Sequence, residues 1–162
     1  MANDNNTNTA TRTIDASAAE IFDLLSNPDR HNETDNSGMV VSCSKGDRLT
    51  AVGDTFTMNM TKEDGDYQTR NEVFAFQDGR IIGWKNLENT TAGVEVGAKW
   101  LYELEPQGND STTVTLTYDR SEIESEKVRK MSEDNFTDDT MEESLSALAA
   151  AVGGTDNPTQ KG

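Results

Sequence analysis

The spacing of apolar side chains changes twice along the chain, and each change marks a change of predicted secondary structure. Before Pro28, four apolar residues recur at helical spacing: Ile21, Phe22, Leu24 and Leu25. From 39 to 120, apolar positions largely alternate with polar ones, which is the period of strands with two different faces. The last apolar stripe is helical again and consists of Met141, Leu145, Leu148 and Val152.

Polar residues predict the limits of the first helix. Ser17 followed by Glu20 is typical of a capping box, so the helix should begin just after Ser17. Pro28 cannot continue a helix and should end it. Residues 29–33 predict a second short helical turn, and Asp35-Asn36-Ser37-Gly38 predicts a tight turn.

The helix near the C-terminus has a less definite beginning. Thr140 with Glu143 resembles a second capping box and predicts a helix from that point. Met131 and Phe136 indicate instead that helical structure begins earlier, around Glu124. Either limit leaves a long helix that ends the folded part of the chain.

Seven segments are predicted as strands: 11–16, 39–44, 55–61, 67–77, 80–86, 97–105 and 112–120. Turns such as Asp78-Gly79 join neighbouring segments and predict an antiparallel meander. One face of such a sheet must be covered, and the C-terminal helix is the only predicted element that can cover it. A curved sheet around one helix leaves a hollow, and such hollows are usual sites for small molecules.

Length and charge limit the classes of partner. A chain of 162 residues fits one domain, predicted over 11–152, with polar tails at 1–10 and 153–162. Thirty acidic and fourteen basic residues give a net charge of -16, which disfavours nucleic acids and anionic membrane surfaces. Because no signal peptide and no apolar run of about 18 residues is visible, we expect a cytoplasmic protein. A monomer is the default expectation.

Metal and disulfide chemistry have few candidate residues. Cys43 is the only cysteine, so it cannot form a disulfide within the chain or a cysteine-based metal cluster. His31 is the only histidine and precedes Glu33 and Asp35. One imidazole with two carboxylates lacks the second nitrogen or sulfur ligand that zinc usually takes. We therefore expect neither a metal nor another cofactor.

Segments along nearly the whole predicted domain resemble one protein family. They are SAAEIFDLLSNPDRH (17–31), DNSG (35–38), GDTFTMNM (53–60), NEVFAFQDGRIIGWK (71–85), GAKWLYELEP (97–106), TTVTLTYD (112–119) and MEESLSALAAAV (141–152). In order and spacing they resemble the polyketide cyclase/dehydrase and lipid-transfer family of the START/Bet v 1-like (SRPBCC) superfamily. The resemblance implies an α+β helix-grip fold. In that fold, a seven-stranded curved antiparallel sheet wraps around a long C-terminal helix, with two short helices between the first two strands.

Three residues are candidates for catalysis. His31 titrates near neutrality and would serve as an acid, a base or a hydrogen-bond donor, or else simply hydrogen-bond locally at the helix end. Arg70, if it points inward, would stabilise an enolate during cyclisation, whereas on the surface it would pair with a carboxylate. Tyr102 carries a phenol that can hydrogen-bond a ligand carbonyl.

The neighbours Arg70 and Asn71 cannot both face the hollow, because adjacent strand residues point to opposite faces. A regular strand with Phe74 and Phe76 inward turns Arg70 inward, whereas a bulge turns Asn71 inward. The predicted ligand-binding residues are the concave wall and this amide: Phe56, Met58, Asn71, Trp84, Trp100, Tyr118, Met141 and Leu145.

Three functions stay open on the sequence, all built on the same hollow. The first is a cyclase or dehydratase that acts on a polyketide-like chain, and the second is a carrier of a lipid-like or polycyclic aromatic molecule. The third is a co-chaperone-like interaction domain. Convergence of two of the catalytic candidates on one cavity favours chemistry, and an apolar cavity favours carriage. An interior filled by its own side chains favours the interaction domain.

Overall fold

Strands occupy the middle of the chain and helices lie toward both ends. The computed structural model describes residues 7–33, 40–45, 48–62, 65–91 and 93–152. The strands are β1 (Thr7–Ile14), β2 (Val40–Lys45), β3 (Thr55–Lys62), β4 (Gly65–Gln77), β5 (Ile81–Asn89), β6 (Val94–Glu95), β7 (Lys99–Gly108) and β8 (Ser111–Asp119). The helices are α1 (Ala18–Leu25), a 3₁₀ helix (Pro28–Glu33), α2 (Glu126–Asn135) and α3 (Asp138–Ala151).

The strands form one curved antiparallel sheet. Seven of them follow the order β1-β8-β7-β5-β4-β3-β2, and the two-residue β6 adds to one end of β5. This arrangement confirms the predicted α+β helix-grip fold with two short helices between β1 and β2. Sequence alternation did not reveal β6, because two residues are too few to show a period.

The first helix begins and ends as its polar residues predict. The Ser17 hydroxyl accepts a hydrogen bond from the Glu20 amide at 3.1 Å, and the Glu20 carboxylate accepts one from the Ser17 amide at 3.4 Å. This reciprocal pair is the predicted capping box. The predicted turn at 35–38 lies outside the described residues.

The C-terminal helical region differs from the prediction. It consists of two helices, α2 and α3, which are separated at Phe136 and Thr137. Thr137 is the N-cap of α3: its hydroxyl accepts from the Thr140 amide at 3.3 Å, and its own amide donates to the Thr140 hydroxyl at 2.8 Å. The predicted capping box of Thr140 and Glu143 is therefore wrong. The actual box begins three residues earlier and pairs Thr137 with Thr140, and the sequence does not reveal it because a threonine takes the place usually held by a carboxylate.

The core lies between the concave face of the sheet and α3. The helix buries Met141, Leu145, Leu148 and Ala149. It packs beside β1 and β8, whose inward positions include the fully buried Ile14, Val114 and Leu116. Burial of each large apolar side chain contributes roughly 1.5–3 kcal/mol, so this contact holds the helix in the grip of the sheet.

The described helices are not membrane spans. None of those in the described ranges combines the length and the apolar character needed to cross a bilayer.

The cap of α3 can be tested with two substitutions of Thr137. Replacement by alanine removes the hydroxyl that accepts from Thr140, and should lower the free energy of unfolding by about 1 kcal/mol. Replacement by serine keeps the hydroxyl and should change it by less than about 0.5 kcal/mol. Urea unfolding followed by circular dichroism measures both. Equal losses for the two variants would contradict the cap and point to the lost methyl group instead.

Candidate ligand-binding site

A β-bulge in β4 decides which of its side chains face the interior. Val73 pairs with Trp84 and Ala75 pairs with Gly83, so Phe74 is an extra residue opposite β5. Phe74 lies on the outer face, where a side chain at Gly83 would come within 2.9 Å of its ring. Because of this bulge, the residues N-terminal to it present Asn71 to the interior.

Arg70 points away from the interior, as the bulged alternative requires. Its guanidinium forms an ion pair with Glu88 at 3.3 Å, and both side chains are exposed. The condition for an inward Arg70 was that Phe74 and Phe76 face inward together, and Phe74 does not. The structure therefore gives Arg70 no access to a molecule in the interior, where it would have to lie to stabilise an enolate.

The first of two aromatic clusters on the concave face contains the histidine. In this histidine cluster, the His31 ring stacks on Trp84 with centroids 4.5 Å apart and meets Phe56 edge-on at 5.4 Å. Tyr102 lies on the neighbouring strand, 5.7 Å from Trp84. The four side chains were predicted separately, and the fold brings them together.

His31 is buried within this cluster. Its Nε2 donates to the carbonyl oxygen of Leu25 at 2.7 Å, so it also makes the local bond expected of a helix-end histidine. Burial is the main influence on its pKa and lowers it from 6.5 to about 4, despite the opposing effects of the Leu25 bond and Asp29. At neutral pH the ring is therefore uncharged and is a weak base.

The second cluster lies at the α2–α3 junction. In this Phe136 cluster, the Trp100 ring meets Tyr118 at 4.6 Å and Phe136 at 5.2 Å. Burial raises the pKa of the Tyr118 phenol to about 12, so this residue remains protonated and is no acid at neutral pH. The sequence did not identify Phe136 as a site residue, because the helix break that presents its ring was not recognised.

Arg120 holds the Phe136 cluster in place. The residue follows β8 and is buried, and its Nε donates to the Ser132 hydroxyl at 3.0 Å. Its Nη2 donates to the Phe136 carbonyl at 2.9 Å. The guanidinium also lies 5.2 Å from the Tyr118 ring centre. One cation thus ties the sheet, α2 and the α2–α3 junction together.

A chain of hydrogen bonds runs across the concave face beside these clusters. The Trp100 indole donates to Asn86 Oδ1 at 3.0 Å, and Asn86 Nδ2 donates to Asn71 Oδ1 at 2.6 Å. Asn71 Nδ2 reaches the carbonyls of Phe56 and Thr69, each at 3.4 Å. Asn86 was not among the predicted site residues. It lies two residues after Trp84, so the two side chains lie on the same face of β5.

The interior is closely packed on the side of the helix. Phe56, Met58 and Tyr102 are at most 4 % exposed, and Met141 and Leu145 of α3 are fully buried. Half-buried residues of the concave face include Met60, Phe76, Trp84, Asn86 and Trp100, and the half-buried Phe136 lies against Trp100 from the α2–α3 junction. A molecule entering the interior would therefore meet these residues first.

Two open clefts of about 560 Å³ each lie outside the two aromatic clusters. One is formed by α1, the β2–β3 connection and the β4–β5 turn, and includes the ion-paired Asp23 and Arg48. The other lies beside β5 and β6 and includes Lys85 and Glu122, which are also ion-paired. None of the described residues that line them belongs to either aromatic cluster.

His31 should make the stability of the fold depend on pH. Its pKa is about 4 in the fold and near 6.5 when unperturbed, so the unfolded chain binds more protons between these values. Stabilisation from the neutral ring is complete above about pH 6.5 and is lost as the pH falls through about 4. The loss is about 3 kcal/mol, at about 1.4 kcal/mol per pKa unit.

An NMR titration of the ring protons measures this pKa directly, because the chain has one histidine. Urea unfolding at several pH values should show the corresponding difference between the wild type and His31→Phe, which keeps a ring but does not titrate. A midpoint near 6.5, or the same pH dependence in both proteins, would contradict the burial of His31.

Sequence comparison finds a family model and curated relatives. Residues 7–153 match the family described as polyketide cyclase/dehydrase and lipid transport. An uncharacterized protein of Mycobacterium tuberculosis is 29 % identical over 106 residues, which cover 65 % of this chain and 44 % of that protein. The chain thus spans less than half the length of the curated relatives it matches.

Solved structures share the fold at low sequence identity. A protein from Arthrobacter aurescens has a TM-score of 0.73 at 14 % identity, over 96 % of this chain and 92 % of that one. An aromatase/cyclase from Streptomyces sp. R1128 has a TM-score of 0.68 at 10 % identity, over 91 % and 93 %. The ginseng major latex-like protein 151 has a TM-score of 0.57 at 13 % identity, over 90 % of this chain and 97 % of that one. With the family match over nearly the whole chain, the protein belongs to the polyketide cyclase/dehydrase and lipid transport family.

Proposed function

We propose that this protein binds a hydrophobic small molecule, aromatic or polyketide- or lipid-like, between the concave face of the sheet and α3. The observation that carries the proposal is the concentration of rings on that face. Both tryptophans of the chain lie there, in the histidine and Phe136 clusters, beside a short chain of amide groups. An apolar, aromatic wall with a few fixed polar groups is typical of small-molecule sites.

The family and the fold support the same class of ligand. The family description names polyketide cyclases and lipid transport. One similar structure is that of an aromatase/cyclase. Low identity limits this likeness to the fold, so the identity of the ligand is our proposal and rests on the residues of this chain.

Binding requires a local rearrangement, because the helix side of the interior is closely packed. The half-buried Trp100 and Phe136 are the side chains whose movement would open it with the least loss of buried surface. Both contact the α2–α3 junction, where α2 buries little besides Ser132. A helix with so few buried residues is expected to open more easily than α3.

The site supports binding more strongly than turnover. His31 and Tyr102 do converge on Trp84, but the histidine has a pKa of about 4 and Tyr102 is buried. A base of that pKa removes protons poorly at neutral pH. A cyclase- or dehydratase-like activity would therefore depend on how the fold positions a reactive chain rather than on a strong acid or base.

A protein-interaction domain is the second candidate. The tight packing of Phe56 and Met58 favours it, since an interior filled by its own side chains leaves little room for a ligand. The two candidates differ in a simple way: only the first requires a small molecule to reach the tryptophans.

Titration with naringenin, an apolar three-ring phenol, separates them. We expect saturable quenching of tryptophan fluorescence, because Trp84 and Trp100 both line the proposed site. Phe136→Leu should weaken binding about fivefold, which corresponds to about 1 kcal/mol for a lost aromatic contact. Phe74→Leu is the matched control on the outer face and should bind like the wild type.

Failure of the wild type to show saturable quenching up to about 1 mM would remove this ligand class and leave the interaction domain. Equal weakening by Phe136→Leu and Phe74→Leu would place the ligand elsewhere or indicate a general loss of structure. Circular dichroism of both variants distinguishes these two causes.

A further inference from the structure

We propose that Asn86 recognises an uncharged hydrogen-bond acceptor, such as a ketone or ester carbonyl, on the bound aromatic molecule. This inference rests on the proposed function and names the chemical group that the site selects. It follows from the direction of the amide chain, from the access to each amide and from the way in which the backbone holds Asn86.

The indole group sets the direction of the whole chain. Trp100 Nε1 is a donor only, so the atom of Asn86 at 3.0 Å must be the amide oxygen. Asn86 then offers its NH₂ group to Asn71 Oδ1 at 2.6 Å. Asn71 in turn donates to the carbonyls of Phe56 and Thr69. Reversal of either amide would place donor against donor.

This direction leaves one donor for a ligand. The NH₂ group of Asn86 has two hydrogens, and one is bonded to Asn71. Among the described residues, the other meets no acceptor. Asn71 is 2 % exposed, whereas Asn86 is half-buried. Asn86 is therefore the amide that a ligand can reach, and it is also the one with an N–H group free to donate.

Backbone hydrogen bonds hold Asn86, and with it the side-chain amide, in position. The Asn86 amide nitrogen donates to the Ala98 carbonyl at 2.7 Å, and the Asn86 carbonyl accepts from Gly97 at 2.7 Å. Across the sheet, Asn86 pairs with Asn71 next to a bulge at Leu87. A group held on both sides loses little freedom when a ligand arrives, which favours recognition.

The surroundings define the class of acceptor. The Trp100 ring contacts the amide and packs against Phe136, and this apolar surface suits an aromatic ring system. The net charge of -16 opposes the approach of anions, so a neutral carbonyl is favoured over a carboxylate. An aromatic molecule of the same shape without the oxygen would leave the Asn86 hydrogen without a partner.

A matched pair of ligands tests this recognition. 2-Acetonaphthone and 2-isopropylnaphthalene have nearly the same shape, but only the first carries a carbonyl. Calorimetric or NMR titration of the wild type should give an affinity for the ketone about tenfold higher, the usual effect of one additional hydrogen bond. Asn86→Ala should remove this preference by weakening the ketone alone.

Two further variants separate recognition from folding. Asn86→Asp keeps an oxygen for the Trp100 indole but has no donor, so it should also lose the ketone preference. Asn59→Ala is the matched control: Asn59 lies on the outer face of β3 and also makes two amide hydrogen bonds, with Ser42 and Gln68. This variant should keep the preference.

The outcomes distinguish the inference from the function on which it rests. Equal affinity of the wild type for the two ligands, or a preference that survives in both Asn86 variants, would overturn the role of Asn86 and leave ligand binding intact. Equal loss of both ligands in Asn86→Ala would also overturn it. No binding of either ligand up to its solubility limit would overturn the inference together with the proposed function.

Discussion

One extra residue in β4 determines the character of the interior. The bulge at Phe74 allows Val73 and Phe76 to face inward although they are three positions apart. It turns the Asn71 amide toward the concave face and the Arg70 guanidinium toward solvent, where a carboxylate neutralises it. The interior therefore contains amides in place of a charge. An unpaired arginine there would carry a large desolvation cost, so the bulge and the apolar interior belong together.

The histidine is compatible with this interior for the same reason. Burial in the stack with Trp84 keeps its ring neutral at physiological pH, and the Leu25 carbonyl holds its Nε2 proton. Arg120 is a buried cation that the structure does accept, and it lies just beyond the end of β8 with oxygen acceptors from α2 and the α2–α3 junction. Arg70 thus pairs with a carboxylate at the surface, and the buried Arg120 guanidinium is satisfied by hydroxyl and carbonyl acceptors.

The sequence predicts the fold well, because the fold depends on periodic signals. Strand alternation, the Ser17–Glu20 cap and the apolar stripe of Met141, Leu145 and Leu148 each involve several residues that agree. The features that shape the site are single residues that interrupt a regular strand or helix pattern. The extra Phe74 and the break at Phe136 lie within otherwise regular patterns, and long-range packing decides where they fall. The burial of His31 depends on Trp84 and Phe56, which are distant in sequence, so the polar residues next to the histidine do not reveal it.

The central claim is that ligands bind on the concave face, against the Trp100 end of the amide chain. The most direct measurement is the ¹H–¹⁵N spectrum of the indole groups, because the chain has two tryptophans and Trp100→Phe assigns both signals. On addition of 2-acetonaphthone, we expect a saturable shift of the Trp100 indole signal, with smaller shifts of residues on the outer face. An unchanged Trp100 signal, with saturable shifts confined to residues of the outer face, would contradict it.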